Sequence, residues 1–235
     1  FPLQVAGSSE TKWVLVVNLN PGGPQGGSGT QYFVGDFDGR TFTLDPSFER
    51  ALQRDGPAWI DWGRDNYAGV TWSDVPPEDG RRLYIGWMSN WDYAQQVPTQ
   101  PWRSAMTVPR ELQLHKTADG YRLQSRPVRE LERLRTATAT LPPRTIRGME
   151  DLSDDVRFSI TTSEVLPEFD LGRTTAQSFG VTLSNDRGEV YRLGFDRTSG
   201  RFTSDRTQSG PAAFSDKFLR AHSAPRAAAG DRLQL

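Results

Sequence analysis

Short apolar runs, many alternating with polar residues and separated by turn-forming dipeptides, set the pattern of this chain. Trp13-Val14-Leu15-Val16-Val17 is apolar on both faces and short, which predicts a buried strand. Residues 31–37 then run into Asp38-Gly39, a dipeptide suited to a tight turn with positive φ. Thr41-Phe42-Thr43-Leu44 returns as the partner strand, with Phe42 and Leu44 on one face. A second cycle of strands is predicted at 67–72, 83–88, 104–108 and 112–114, with Tyr121-Arg122-Leu123 after it. The triplet Phe33-Val34-Gly35 recurs as Tyr84-Ile85-Gly86, 51 residues on (33 to 84). Propeller blades recur at about 40–50 residues, so the spacing is compatible with two blades of one propeller.

Beyond residue 126 the pattern changes. Val128, Leu131 and Leu134 stand three apart among charges and predict a short helical face. Arginines crowd here, but Glu130 and Glu132 are interleaved with them, so a solvated connector is the better reading than an anion site. Leu141-Pro142-Pro143 marks a boundary. From Val156 onward short strands resume, at 157–161, 178–183 and 190–195, with turns at Asn185-Asp186-Arg187-Gly188 and Arg197-Thr198-Ser199-Gly200. Regular strands with turn signals predict a sandwich. The expected architecture is therefore all-β: a partial propeller over 1–126, a connector over 127–143 and a partial β-sandwich over 144–235.

Composition narrows the function. Among 235 residues, 28 Lys plus Arg balance 29 Asp plus Glu to a net charge of -1, which argues against a nucleic-acid partner. There is no cysteine, hence no disulfide and no thiolate site. No apolar run approaches the roughly 20 residues of a membrane span. The glycine-rich stretch Gly22-Gly23-Pro24-Gln25-Gly26-Gly27-Ser28-Gly29-Thr30 lacks the lysine of a phosphate loop and no helix pattern follows it. It reads instead as a mobile or tightly turned loop beside a site. His115 and His222 have no ligand spacing around them, so no metal or cofactor is expected and both read as isolated polar-surface residues.

The chemistry-bearing segments are Ile60-Asp61-Trp62-Gly63-Arg64-Asp65-Asn66-Tyr67-Ala68, Ile85-Gly86-Trp87-Met88-Ser89-Asn90-Trp91-Asp92-Tyr93-Ala94 and Pro101-Trp102-Arg103-Ser104-Ala105-Met106. Aromatic faces cover the C–H face of a sugar ring, and carboxylates, amides and guanidinium groups fork hydrogen bonds to its hydroxyls. Residue by residue, the alternative is that these aromatics form core between blades and that Asp61 and Asp65 cap turns. As a cluster they point to sugar.

These segments, with Asn18-Leu19-Asn20-Pro21-Gly22-Gly23-Pro24 and Pro109-Arg110-Glu111-Leu112, resemble glycoside hydrolase family 32, the β-fructofuranosidases, and within it the levanase and exo-inulinase branch. The resemblance is carried by 12–131. It implies a five-bladed propeller followed by a β-sandwich, fructose held on the propeller axis, and a retaining mechanism run by a nucleophilic aspartate, an acid/base glutamate and a stabilising aspartate. In this chain Arg54-Asp55 and Arg64-Asp65 are not followed by proline, the one Asn-Asp pair, Asn185-Asp186, precedes Arg187, and Glu-Cys is impossible without cysteine. No catalytic residue is therefore assigned here. The expectation is a chain truncated at both ends, with the three carboxylates upstream in a missing N-terminal half of the propeller.

The resemblance further implies a fructan or sucrose substrate, an extracellular location, and substrate-binding roles for Trp91, Asn20, Asp65 and Tyr67. Two readings stand side by side: part of a fructan hydrolase that supplies pocket walls, and a noncatalytic carbohydrate-binding module.

Overall fold

The computed structural model describes residues 1–155, 159–227 and 230–235. The described chain forms two compact units, one of residues 1–128 with 176–229, the other of residues 129–175 with 230–235. In the first unit β1 (Pro2–Gln4), β2 (Thr11–Leu19), β3 (Gly29–Phe37) and β4 (Phe42–Leu44) form an antiparallel meander. A helix, α1 (Pro46–Asp55), follows. A second antiparallel sheet runs β5 (Tyr67–Thr71), β6 (Arg82–Met88), β8 (Arg110–Thr117), β9 (Gly120–Pro127), with the two-residue β7 (Ala105–Met106) paired to the end of β6.

One core joins these two sheets and the helix: Val14, Val34, Phe48, Tyr84, Leu112 and Leu114 are buried in it. Val14 lies opposite Val34 in the β2–β3 ladder, so both point to the same face. Leu15 and Val17 point the other way and are 42% and 36% exposed, which corrects the expectation of a strand buried on both faces. A single neighbouring sheet covers only one face, and period-two alternation leaves the other uncovered.

Helix α1 is the element that the strand pattern did not anticipate. Asp45 caps it, its carboxylate accepting from Ser47 N at 2.9 Å and Phe48 N at 3.3 Å, and Pro46 sits where its missing N–H costs nothing. Phe48 and Ala51 are its buried face, and Gly56 with φ 82° ends it. The strand expected over 104–108 shrinks to β7, because Thr107 leaves the ladder. Its N–H donates to the Gly86 carbonyl at 2.8 Å, and its Oγ1 accepts from Gly86 N at 3.0 Å.

Close approach explains the glycines of the second sheet. An alanine Cβ at Gly69 would lie 1.9 Å from the Tyr84 hydroxyl, and Tyr84 is fully buried with that hydroxyl donating to Asn66 Oδ1 at 2.9 Å. Overpacking of this kind costs about 1–3 kcal/mol. Gly69→Ala is thus expected to lower the thermal midpoint by about 2–4 °C per kcal/mol for a unit of this size. An unchanged midpoint would show that Tyr84 moves aside freely.

The second unit opens with a 3-10 helix at Arg129–Leu134. Of the expected Val128–Leu131–Leu134 face, Val128 is buried, Leu131 is half-buried and Leu134 is 75% exposed. The strand expected at 157–161 begins outside the described residues, at Arg157 and Phe158, and Ile160–Thr162 is a 3-10 turn. β10 (Glu168–Asp170) closes this passage. The chain then rejoins the first unit as a four-stranded meander, β11 (Ser178–Ser184), β12 (Val190–Asp196), β13 (Arg201–Gln208) and β14 (Ala221–Pro225). Phe179, Phe195 and Phe202 are cross-strand partners, with ring centroids 6.0 and 5.3 Å apart. β15 (Arg232–Gln234) returns to the second unit and pairs antiparallel with β10, burying Leu233.

Candidate functional site

Three loops of the first unit meet around one amide. The glycine stretch after β2 is tightly turned: Gly26 and Gly27 have φ of 89° and 66°, and Gly23 N donates to the Gly27 carbonyl at 2.9 Å. A side chain at Gly27 would strike Asn90 Oδ1, 2.0 Å from its Cβ. Asn90 is fully buried, and its amide nitrogen donates to the carbonyls of Arg64 at 2.9 Å and of Gly26 and Ser28 at 3.3 Å. Its carbonyl oxygen accepts from Asp92 N at 3.0 Å and Ser28 N at 3.3 Å. One side chain thus ties the 22–30 loop, the 61–66 loop and the turn at 89–94 together.

That turn presents Trp91, which is 46% exposed while its backbone N–H donates to Ser28 Oγ at 3.2 Å. The Trp91 ring lies 5.0 Å from Trp87 at 54°, and Trp87 lies 6.3 Å from Tyr67 at 62°. Tyr67 and Trp87 face each other across the β5–β6 ladder, and Trp87 faces Met106 across β6–β7. Two of the four expected residues, Trp91 and Tyr67, therefore belong to one aromatic row, with Trp87 between them. Such a row offers apolar area at low conformational cost to the C–H face of a ring.

Asp65 belongs to a different arrangement. Its Oδ1 accepts from the Tyr93 hydroxyl at 2.5 Å and its Oδ2 from Arg206 Nη1 at 2.6 Å. Asn20 stands exposed after β2, at the cis Asn20–Pro21 bond, and carries no hydrogen bond among the described residues. The carboxylates around the loops are all committed to cations. Asp61 pairs with Arg110 at 2.8 Å, and Asp92 with Arg64 and with Lys217 at 3.1 Å. Burial alone would raise the Asp92 carboxyl, but the hydrogen bond from Lys217 and the Arg64 charge hold it below the usual range. Burial, then the Asp65 carboxylate, push the Tyr93 phenol up, so it stays a protonated donor. Among the described residues no three His, Cys, Asp or Glu side chains gather as a metal site.

Both histidines depart from the expectation of polar-surface residues: the Nε2 atoms of His115 and His222 are buried, without a hydrogen-bond partner among the described residues. His222 lies opposite Ser204 in the β13–β14 ladder. Burial first, then the Arg206 and Arg64 charges, lower its pKa from the ordinary 6.5, with Asp65 pulling the other way. The unfolded chain then binds this proton more readily than the folded one. Stability is full above about pH 6.5 and falls as pH drops from there toward the lowered folded value. The thermal midpoint is expected to decline as pH falls below about 6.5, and His222→Gln to flatten that decline. Parallel curves for the two proteins would remove His222 as the cause.

Trp87, Asn90 and Tyr93 lie in the same chemistry-bearing segment as Trp91 but are not among the four residues expected to bind sugar. Arg206 and Lys217 come from the β11–β14 region, more than a hundred residues away in the chain, and nothing local marks them.

Comparison with known proteins places this geometry in context. The family model described as "Glycosyl hydrolases family 32 N-terminal domain" matches residues 1–127, and "Glycosyl hydrolases family 32 C terminal" matches residues 130–235. The chain is 39% identical over 224 residues to a levanase of Bacillus subtilis (strain 168), covering 93% of this chain and 31% of that protein. It is 36% identical over 233 residues to an extracellular exo-inulinase of Aspergillus niger, covering 96% of this chain and 42% of that one. The crystal structure of an exo-inulinase from Aspergillus awamori superposes with a TM-score of 0.74 at 27% identity, covering all of this chain and 45% of the other. The chain thus spans less than half the length of these relatives.

Proposed function

The chain belongs to glycosyl hydrolase family 32, and on that footing we propose that it forms one wall of the fructose pocket of an enzyme hydrolysing levan, inulin or sucrose. The observation that carries this is the row Tyr67–Trp87–Trp91, held at a loop junction by Asn90. In this reading Trp91 covers the ring, Trp87 and Tyr67 back it, and Asn20 flanks the outer side of the pocket. Asp65 acts through Tyr93 and Arg206.

Cleavage in a retaining mechanism needs one carboxyl to attack the anomeric carbon and another to protonate the departing oxygen. Asp61, Asp65 and Asp92 are each committed to an arginine. The reacting carboxylates are therefore assigned to a portion of the hydrolase outside these 235 residues. This chain's share is to orient the fructosyl ring and exclude water from it, which contributes binding without itself stabilising the transition state. An extracellular location follows the relatives named so.

The same arginine-bound carboxylates are what a noncatalytic carbohydrate-binding module would carry, and one experiment separates the two readings. Residues 1–235 alone are expected to release no fructose from levan, inulin or sucrose, and release is expected once the preceding portion of the hydrolase is supplied. Release by the chain alone would overturn the assignment of the carboxylates. Sugar binding with no release in either setting would favour the binding module.

A further inference from the structure

We propose that Arg206, on β13, is a positioning residue for the sugar-facing turn, so that the β11–β14 sheet sets the placement of Trp91. The inference rests on the reading of Trp91 as the fructose platform. It begins with a backbone irregularity. In the β12–β13 ladder Arg192 pairs with Asp205 and Val190 with Gln208, so β13 carries one residue more than β12 between these pairs. This is a β-bulge at Arg206–Thr207, and bulges interrupt the alternation of a strand and re-aim a side chain. Asp205 secures it, its carboxylate accepting from Thr207 N at 2.9 Å and Thr207 Oγ1 at 2.6 Å.

The guanidinium so aimed has all three nitrogens engaged. Nη1 donates to Asp65 Oδ2 at 2.6 Å, Nη2 to the Tyr93 hydroxyl at 2.8 Å, and Nε to the Phe218 carbonyl at 2.6 Å. Its plane also lies over the Phe218 ring, 4.2 Å from the centroid. The Tyr93 hydroxyl donates in turn to Asp65, so Arg206, Tyr93 and Asp65 close a three-membered ring of hydrogen bonds. Tyr93 belongs to the turn that carries Trp91, its N–H donating to the Asn90 carbonyl at 3.1 Å. Asp65 sits beside Arg64, whose carbonyl accepts from Asn90. One cation therefore grips the turn on both sides of its hub, and a planar five-donor fork is suited to two acceptors at once where lysine is not.

The test follows the position of Trp91 directly, by fluorine NMR of the full chain labelled with 5-fluorotryptophan, the Trp91 line being assigned through Trp91→Phe. Arg206→Gln is expected to shift and broaden the Trp91 line while leaving the Trp13 line in place. Arg206→Lys, keeping the charge and one bond, is expected to restore it in part. Tyr93→Phe, which deletes only the hydroxyl, serves if Arg206→Gln does not fold, and is expected to move the same line. A Trp91 line that stays put in these folded variants, or one that moves no more than Trp13, overturns the proposal. Titration of the labelled chain without substitution with an inulin-type fructooligosaccharide reads the sugar assignment separately: no response at Trp91 there overturns the fructose reading, and with it the functional sense of Arg206.

Discussion

Replacing Asn90 by alanine is expected to cost about 3 kcal/mol or more of folding stability, because each buried polar group left without a partner costs about 1–3 kcal/mol. The deletion orphans several at once: the carbonyls of Gly26, Ser28 and Arg64, and the N–H groups of Ser28 and Asp92. Arg64 also links the three segments, donating to the Gln25 carbonyl and pairing with Asp92, but it takes the place of none of the bonds that Asn90 makes. Urea unfolding measures the loss, and limited proteolysis within residues 22–30 reports whether the loop has come free. Asn90→Asp separates shape from hydrogen bonding. It keeps the volume and the acceptor but turns a donor into a charge facing three carbonyls, so it is expected to be nearly as damaging. A loss below about 1 kcal/mol for Asn90→Ala would mean that water satisfies the three loops instead.

Trp91→Ala is expected to act on the sugar and hardly on the fold. An aromatic hot spot of this kind costs over about 2 kcal/mol when truncated, roughly a thirty-fold loss in kcat/KM for the complete hydrolase. With 46% of its surface exposed, the side chain gives up less packing on truncation than a core tryptophan would, so the melting midpoint should shift by only a few degrees. Trp87 makes the contrast: half-buried between Tyr67 and Trp91, its removal is expected to lower stability as well as activity. Kinetics unchanged by Trp91→Ala, with stability reduced, would return Trp91 to the role of packing.

Much of the strand layout was legible because period-two patterning and turn dipeptides are local. Asp38-Gly39 and Asn185-Asp186-Arg187-Gly188 mark reversals that the backbone makes, the latter with Gly188 at φ 76°. Helix α1 carried a local signal too, in Asp45-Pro46 before Phe48 and Ala51 and in the closing Gly56, but ten residues among many short strands are easily read as a connection. The face that β2 exposes was not legible. Trp13-Val14-Leu15-Val16-Val17 is equally apolar on both sides, and only the placement of the second sheet decides that Val14 is covered and Leu15 is not.

The site divides along the same line. By itself the sequence determined which chemistry is gathered, since Trp87, Asn90, Trp91 and Tyr93 fall within one short segment and Asp65 and Tyr67 within another, and side-chain type is a local property. Tertiary structure alone decided what each residue does there. It made Asp65 a partner of Tyr93 and Arg206, made Asn90 the joint of three loops, and brought a cation from β13 across 141 positions of chain. Hydrogen bonds are settled by distance and direction in space, and neither is written in the spacing of residues along the chain.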